Sequence, residues 1–247
     1  MDILYVGGSD LVRSPNHRAR HFINFLQQHA ARVDVVALKP LYDGAHDASV
    51  VDKVRQGVRD YAEDPASVVE TGAGTELTVR KLPNRFDPYA QDLWAYLHLG
   101  PLKRRRYDVG IFGNPDNALL AWLLRKRGIV DKLVYDDWDY FEGFNRPRHW
   151  RRAITWREHL AVSMADVVIS VGTLLADLRD EQGARETFVV PNGVNYPLFA
   201  RAQEKKPHPP TLVYTGSIED WAGLDVTIEG FAQVRQAIPD ARYWIIG

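Results

Sequence analysis

Short runs of β-branched and aromatic residues recur along this chain, each followed by a stretch with helical spacing, and that alternation restricts the fold more than any other feature. "DILYV" (2–6), "VDVVAL" (33–38), "ELTVRKL" (76–82), "YDVGIFGNP" (107–115), "KLVYDDWDY" (132–140), "DVVISV" (166–171) and "TFVVPNG" (187–193) read as strands. Between them "PYAQDLWAYLHL", "DNALLAWLLRKR" and "TLLADLRDEQG" read as helices, and "NRPRHWRRAITWREHLAVSM" as a loop followed by a helix. Ser14-Pro15 fits an N-cap with proline at the first helical position, and Phe22, Phe25, Leu26 and His29 then follow at helical spacing. Residues 40–75 are polar and read as an irregular insertion with one helix near 50–62. The expected fold is α/β: a doubly wound parallel sheet, Rossmann-like, with helices on both faces.

Composition narrows the candidates. With 247 residues and 45% apolar content the chain can bury a core, and a net charge of −1 does not advertise a nucleic-acid binder. The absence of cysteine excludes disulfides, thiolate metal sites and a cysteine nucleophile, and fits a cytoplasmic setting. "MDILYVGG" lacks the basic start of a signal peptide, and no stretch reaches the roughly 20 apolar residues that span a bilayer.

After "TFVVPNG" the composition shifts. Residues 196–210 read as an extended, proline-rich linker, and "TLVYTGS", "LDVTIEGFAQVRQAIP" and "ARYWIIG" spell one strand–helix–strand unit. The expected organisation is a domain over 1–195, a hinge over 196–210 and an incomplete second Rossmann-like domain over 211–247. Two strands and one helix cannot cover a parallel sheet on both faces, so the expectation is a truncated chain or a remnant that docks on the first domain or on another copy. Pro191-Asn192-Gly193 closes the last strand of the first domain, where it reads either as an ordinary turn or as the lip of a cleft.

"ADVVISVGTLLADLRDEQGARETFVVPNGVNYPLF", supported by "TLVYTGSIEDWAGLDVTIEGFAQVRQAIPDARYWIIG", resembles the family-4-like glycosyltransferases of the GT-B fold. The resemblance covers nearly the whole chain. It implies transfer of a sugar from a nucleotide diphosphate sugar to an acceptor hydroxyl, with the acceptor held by the first domain and the donor by the second. It implies no cofactor and no required metal. The family usually has an Arg just after the glycine of "TGS" and a Lys just before the next glycine, both on donor phosphates; this chain has Ser217 and Ala222 there. A non-catalytic binding or accessory module of the same fold is the alternative.

Several residues carry candidate chemistry. Gly7 and Gly8 follow the first strand and precede a helix, so they form either a tight turn or a loop that lets backbone amides approach a phosphate or sugar. "YDDWDYFEGF" gathers Asp136, Asp137, Asp139 and Glu142 at a strand end. Strand alternation points Asp137 and Asp139 one way and Asp136 the other, and an inverting transfer would take Asp137 or Asp139 as general base. Asn114 and Asp116 line an acceptor pocket or, as the preferred reading, cap a helix. Gly216 and Ser217 join Asn192 and Gly193 as donor- or acceptor-binding candidates. His17 and His21 lack the further ligands a metal needs. "KRRR" (103–106) and "RPRHWRR" (146–152), the latter followed by Trp156 and Arg157, are basic patches suited to an anionic membrane surface if the acceptor is lipid-linked, or simply solvated faces.

Overall fold

The computed structural model describes residues 1–8, 11, 18–39, 66–80, 87–143, 148–194, 196–200, 209–219 and 222–247. The Ser14-Pro15 cap, His17, the helix near 50–62 and Trp221 lie outside them. The chain forms two compact units, Met1–Gly193 and Val194–Gly247.

The first unit is built on β1 (Asp2–Gly7), α1 (Arg18–His29), β2 (Arg32–Lys39), β3 (Ala66–Thr71), β4 (Gly74–Arg80), α2 (Asp87–Leu97), β5 (Tyr107–Gly113), α3 (Ala118–Lys126), β6 (Val130–Asp137), α4 (Arg148–Met164), β7 (Val167–Ser170), α5 (Thr173–Glu181) and β8 (Thr187–Val189). Its eight strands run in the order β3-β4-β2-β1-β5-β6-β7-β8. Every neighbouring pair is parallel except β3 with β4. Central strands are apolar on both faces because each face carries helices: Leu4, Val6, Val36, Phe112 and Tyr135 pack into one cluster, and Ile3, Tyr5, Val33, Val35 and Ile111 into another.

Two elements differ from the sequence reading. Residues 66–75 are not irregular: β3 forms an antiparallel hairpin with β4, closed at Gly74, where a Cβ would stand 2.0 Å from the Val33 carbonyl oxygen. The strand left little trace because it lies at the sheet's edge, with Ser67–Thr71 all exposed, so no buried face patterned its residues. On α1 Ala19 and Ile23 are buried and Phe22 and Leu26 pack partly buried against the same cluster, whereas Phe25 is exposed, its ring 4.4 Å from that of His29.

The second unit holds α6 (Tyr196–Ala200), β9 (Thr211–Thr215), α7 (Leu224–Ala237) and β10 (Arg242–Ile246), with β9 and β10 parallel. Helix α7 buries no residue, and Val213, Trp244 and Ile246 are exposed.

Candidate functional site

Parallel strands place all their C-terminal ends at one edge. In this sheet β1 has β2 on one side and β5 on the other, so the chain reverses its winding direction between β1 and β5, the position where open α/β sheets leave a crevice. Gly7 ends β1 and Gly113 ends β5. Gly8 is buried, and a Cβ added to it would stand 3.5 Å from Asn114 Nδ2, so the two strand exits meet.

Asn114 is the one non-glycine residue with positive φ (67°) among the described residues. That conformation is costly and is held by its surroundings: Pro115–Asn117 forms a 3-10 turn directly behind it, and the Asn117 amide group donates to the Gly113 carbonyl. The expected capping role is not what the side chain does. Asn114 precedes the turn but makes no side-chain capping bond, and its Oδ1 is buried without a hydrogen-bond partner among the described residues. Arg157 Nη1 donates 2.7 Å to the Asp116 carbonyl and also pairs with Asp92 at 2.7 Å, so α2 and α4 fix this turn from beneath. Burial holds the Asp92 carboxyl up at about 6, with Arg157 opposing.

The acids after β6 separate into different environments. The strand stops at Asp137, so alternation does not carry through to Asp139. Asp136 and Asp137, both fully buried, face opposite sides of the sheet. Asp136 Oδ1 receives Arg18 Nε at 3.1 Å and Nη2 at 3.0 Å. Asp137 receives Arg179 Nε on Oδ2 at 2.7 Å and Nη2 on Oδ1 at 3.3 Å, while Arg179 also donates to Glu158 and, at 2.8 Å, to Gln182. Burial raises the Asp137 pKa, and Arg179 opposes the rise. Asp137 therefore has no open face toward a reacting hydroxyl; its carboxylate anchors α5 to the strand end. Asp139 is exposed; among the described residues its carboxylate accepts the N–H of its neighbour Tyr140, at 3.2 Å, and partial desolvation raises its pKa.

The Arg179 cluster carries two buried carboxylates for one guanidinium. Burial pushes Glu158 up to about 7, the Asp137 and Glu142 charges adding to the rise and Arg179 opposing it. A carboxyl that keeps its proton to higher pH in the folded chain than in the unfolded one lowers stability as pH rises, because the unfolded chain ionises first. Glu158 and Asp92 thus make the urea midpoint fall from pH 5 to pH 7, by on the order of 1 kcal/mol in unfolding free energy. Asp34 and Asp166, whose pKa values are lowered, act below this window. Glu158→Gln should flatten much of the fall; an unchanged slope would contradict the assignment.

Among the remaining expected residues, Asn192 is exposed, its Oδ1 3.4 Å from Arg18 Nη1, which also holds the Val190 carbonyl at 2.7 Å. Gly193 has no described atom near its Cβ position. In the second unit the Gly216 N–H donates to Ile246 O at 3.0 Å, and the Ser217 carbonyl accepts the Tyr214 hydroxyl at 2.6 Å. Gly7, Gly8, Asn114, Asp116, Asp139 and Asn192 thus share one sheet edge of the first unit, Asp137 lies buried beneath it, and Gly216 and Ser217 belong to the other unit.

The basic patches are not uniform surfaces. Arg105 is spent on Asp34 and Thr75 at the opposite edge of the sheet, and Lys103 holds the Leu97 carbonyl. Arg157 is buried. Arg18 and Arg179, which position the edge, were not singled out in the sequence, and Arg157 was read there only as part of a basic patch; the signal was the Asp-Asp pair inside an apolar strand, since buried carboxylates need cations.

Residues 15–193 match the family described as glycosyl transferase 4-like domain, and the chain belongs to that family. Searching curated proteins by sequence gives no match. Among solved structures the chain superposes on a sucrose-phosphate synthase from Thermosynechococcus elongatus with TM-score 0.68 and 16% identity, over 100% of this chain and 62% of that one. The catalytic domain of starch synthase IV from Arabidopsis thaliana, bound to ADP and acarbose, gives 0.61 at 9% identity, over 100% and 68%. A UDP-forming trehalose-phosphate synthase from Burkholderia xenovorans gives 0.59 at 14%, over 100% and 64%. These likenesses are of fold, the GT-B glycosyltransferase fold, and the chain spans less than two thirds of the length of the first of them.

No described helix is long and apolar enough to cross a membrane.

Proposed function

We propose that the protein acts in glycosyl transfer, moving a sugar from a nucleotide diphosphate sugar to an acceptor hydroxyl, with the acceptor held at the C-terminal edge of the first unit and the donor by the second. The observation that carries this reading is the meeting of Gly8 and Asn114 at the β1/β5 crevice within a chain of this family. Glycine there lets a ligand approach the backbone closely, and the half-buried Asn114, whose Oδ1 has no hydrogen-bond partner among the described residues, adds an amide group beside it. The relative that holds ADP and acarbose supports a nucleotide and a saccharide as ligands. No cofactor or metal is part of the reading.

Of the two carboxylates considered as base, Asp139 is the one open to solvent. If transfer inverts the anomeric centre, Asp139→Asn should lower turnover roughly 100-fold or more, the scale of general-base catalysis. The test is release of nucleoside diphosphate from UDP-, ADP- and GDP-sugars, with and without saccharide acceptors. Turnover of none of them would favour the second reading, a non-catalytic binding module, which the Ser217 and Ala222 positions support. A cytoplasmic location rests on the absence of cysteine. Contact with an anionic membrane rests on the exposed Arg148, Arg151, Arg152 and Trp156, and loses Arg157 to burial.

A further inference from the structure

A hollow of about 420 Å³ lies beside the turn Phe141–Gly143 that follows β6, lined by Tyr140, Glu142, Arg151, Arg152, Thr155 and Trp156. None of the ion pairs described above involves it. Its size falls within the range of small-molecule sites. Four of its residues come from α4 at positions one turn apart, Arg151 with Thr155 and Arg152 with Trp156, so the helix presents them together.

Three features call for a ligand of one kind. Glu142 is half-buried in the wall of the hollow, and its Oε1 has no hydrogen-bond partner among the described residues, so its carboxylate is an acceptor for a ring hydroxyl. Trp156 and Tyr140 converge on the same hollow while 55% and 49% exposed, leaving two aromatic surfaces open where a sugar ring presents its apolar face. Arg151 and Arg152 are exposed and, among the described residues, form no ion pair; their guanidinium forks match a phosphate or carboxylate. The half-buried acid offers a wall that accepts hydroxyls, and the exposed arginines a rim that takes the anionic group.

We propose that this hollow binds a saccharide carrying an anionic group, with Glu142 accepting ring hydroxyls, Trp156 and Tyr140 covering the ring, and Arg151 and Arg152 taking the phosphate or carboxylate. It rests on the glycosyl-transfer reading only in making that saccharide the acceptor. An anionic membrane surface is the other source of such a group, and the vesicle arm of the titration separates the two.

The test is calorimetric titration of the full chain with glucose 6-phosphate, glucuronate, glucose, inorganic phosphate and phosphatidylglycerol vesicles. Glucose 6-phosphate and glucuronate should bind at least tenfold more tightly than glucose or phosphate. Glu142→Gln and Trp156→Ala should each weaken that binding about tenfold or more, the equivalent of one lost hydrogen bond to a charged group. Arg151→Ala with Arg152→Ala should abolish the preference for charged over neutral sugar. These side chains lie at the surface, and urea midpoints confirm that each variant remains folded. Binding of inorganic phosphate as strong as that of the sugar phosphates, binding to vesicles alone, unchanged affinities in the variants, or no saccharide binding would each overturn the assignment. Nucleoside diphosphate release from the donor panel, followed in the same samples, separates the two ideas: saccharide binding without turnover removes the transfer reading and leaves this site standing, whereas turnover without it does the reverse.

Discussion

Replacing Arg179 with alanine should cost about 3–5 kcal/mol of folding free energy, read from urea denaturation at pH 7.5. Its guanidinium is fully buried and is the shared partner of Asp137 and Glu158, neither of which reaches solvent. Without it two carboxylates remain in a low-dielectric interior, and β6 loses its tie to α5 and α4. A typical domain holds only about 5–15 kcal/mol in total, so the variant would be marginal at best. Its loss should also shrink as pH falls toward 5, because both acids can then take up protons and shed their charge. Arg179→Lys, which keeps the charge but not the fork, should fall between. A loss below about 1 kcal/mol, or one independent of pH, would contradict this account of the cluster.

The largest functional effect is expected at Gly8. Among the described residues a Cβ there makes one ordinary contact, 3.5 Å to Asn114 Nδ2, so Gly8→Ala should fold and retain most activity. Gly8→Leu extends further into the β1/β5 crevice, takes the space a ligand would use and screens the backbone amides. Its kcat/KM for sugar transfer should fall roughly 100-fold or more, about 2.7 kcal/mol, while Gly8→Ala, whose urea midpoint stays close to that of the parent chain, keeps most of its turnover. Normal turnover in Gly8→Leu would remove the crevice from the mechanism.

The contrast between these positions explains what the sequence could and could not disclose. The alternation of β-branched runs and helices marks the sheet, because burial on both faces leaves an apolar run in each central strand; β3, exposed along its length, left no such pattern. Gly7, Gly8 and Asn114 are legible as edge residues because strand ends are known once strands are. Their adjacency depends on β1 pairing with β5 more than 100 residues away, a property of topology. Asp136 and Asp137 were visible as chemistry, but not their fate, because Arg18 lies 118 residues from the first and Arg179 lies 42 from the second. Local alternation told which side each acid faces and nothing about what waited there.

Amide hydrogen exchange of the full chain with UDP-glucose and glucose 6-phosphate present together tests the central claim most directly. Protection should rise at residues 7–8, 113–116 and 190–193, the exits of β1, β5 and β8. Protection confined to the opposite edge, around Asp2, Tyr107 and Gly128–Asp131, or no change at the strand exits, would contradict a ligand site at the C-terminal edge of the sheet.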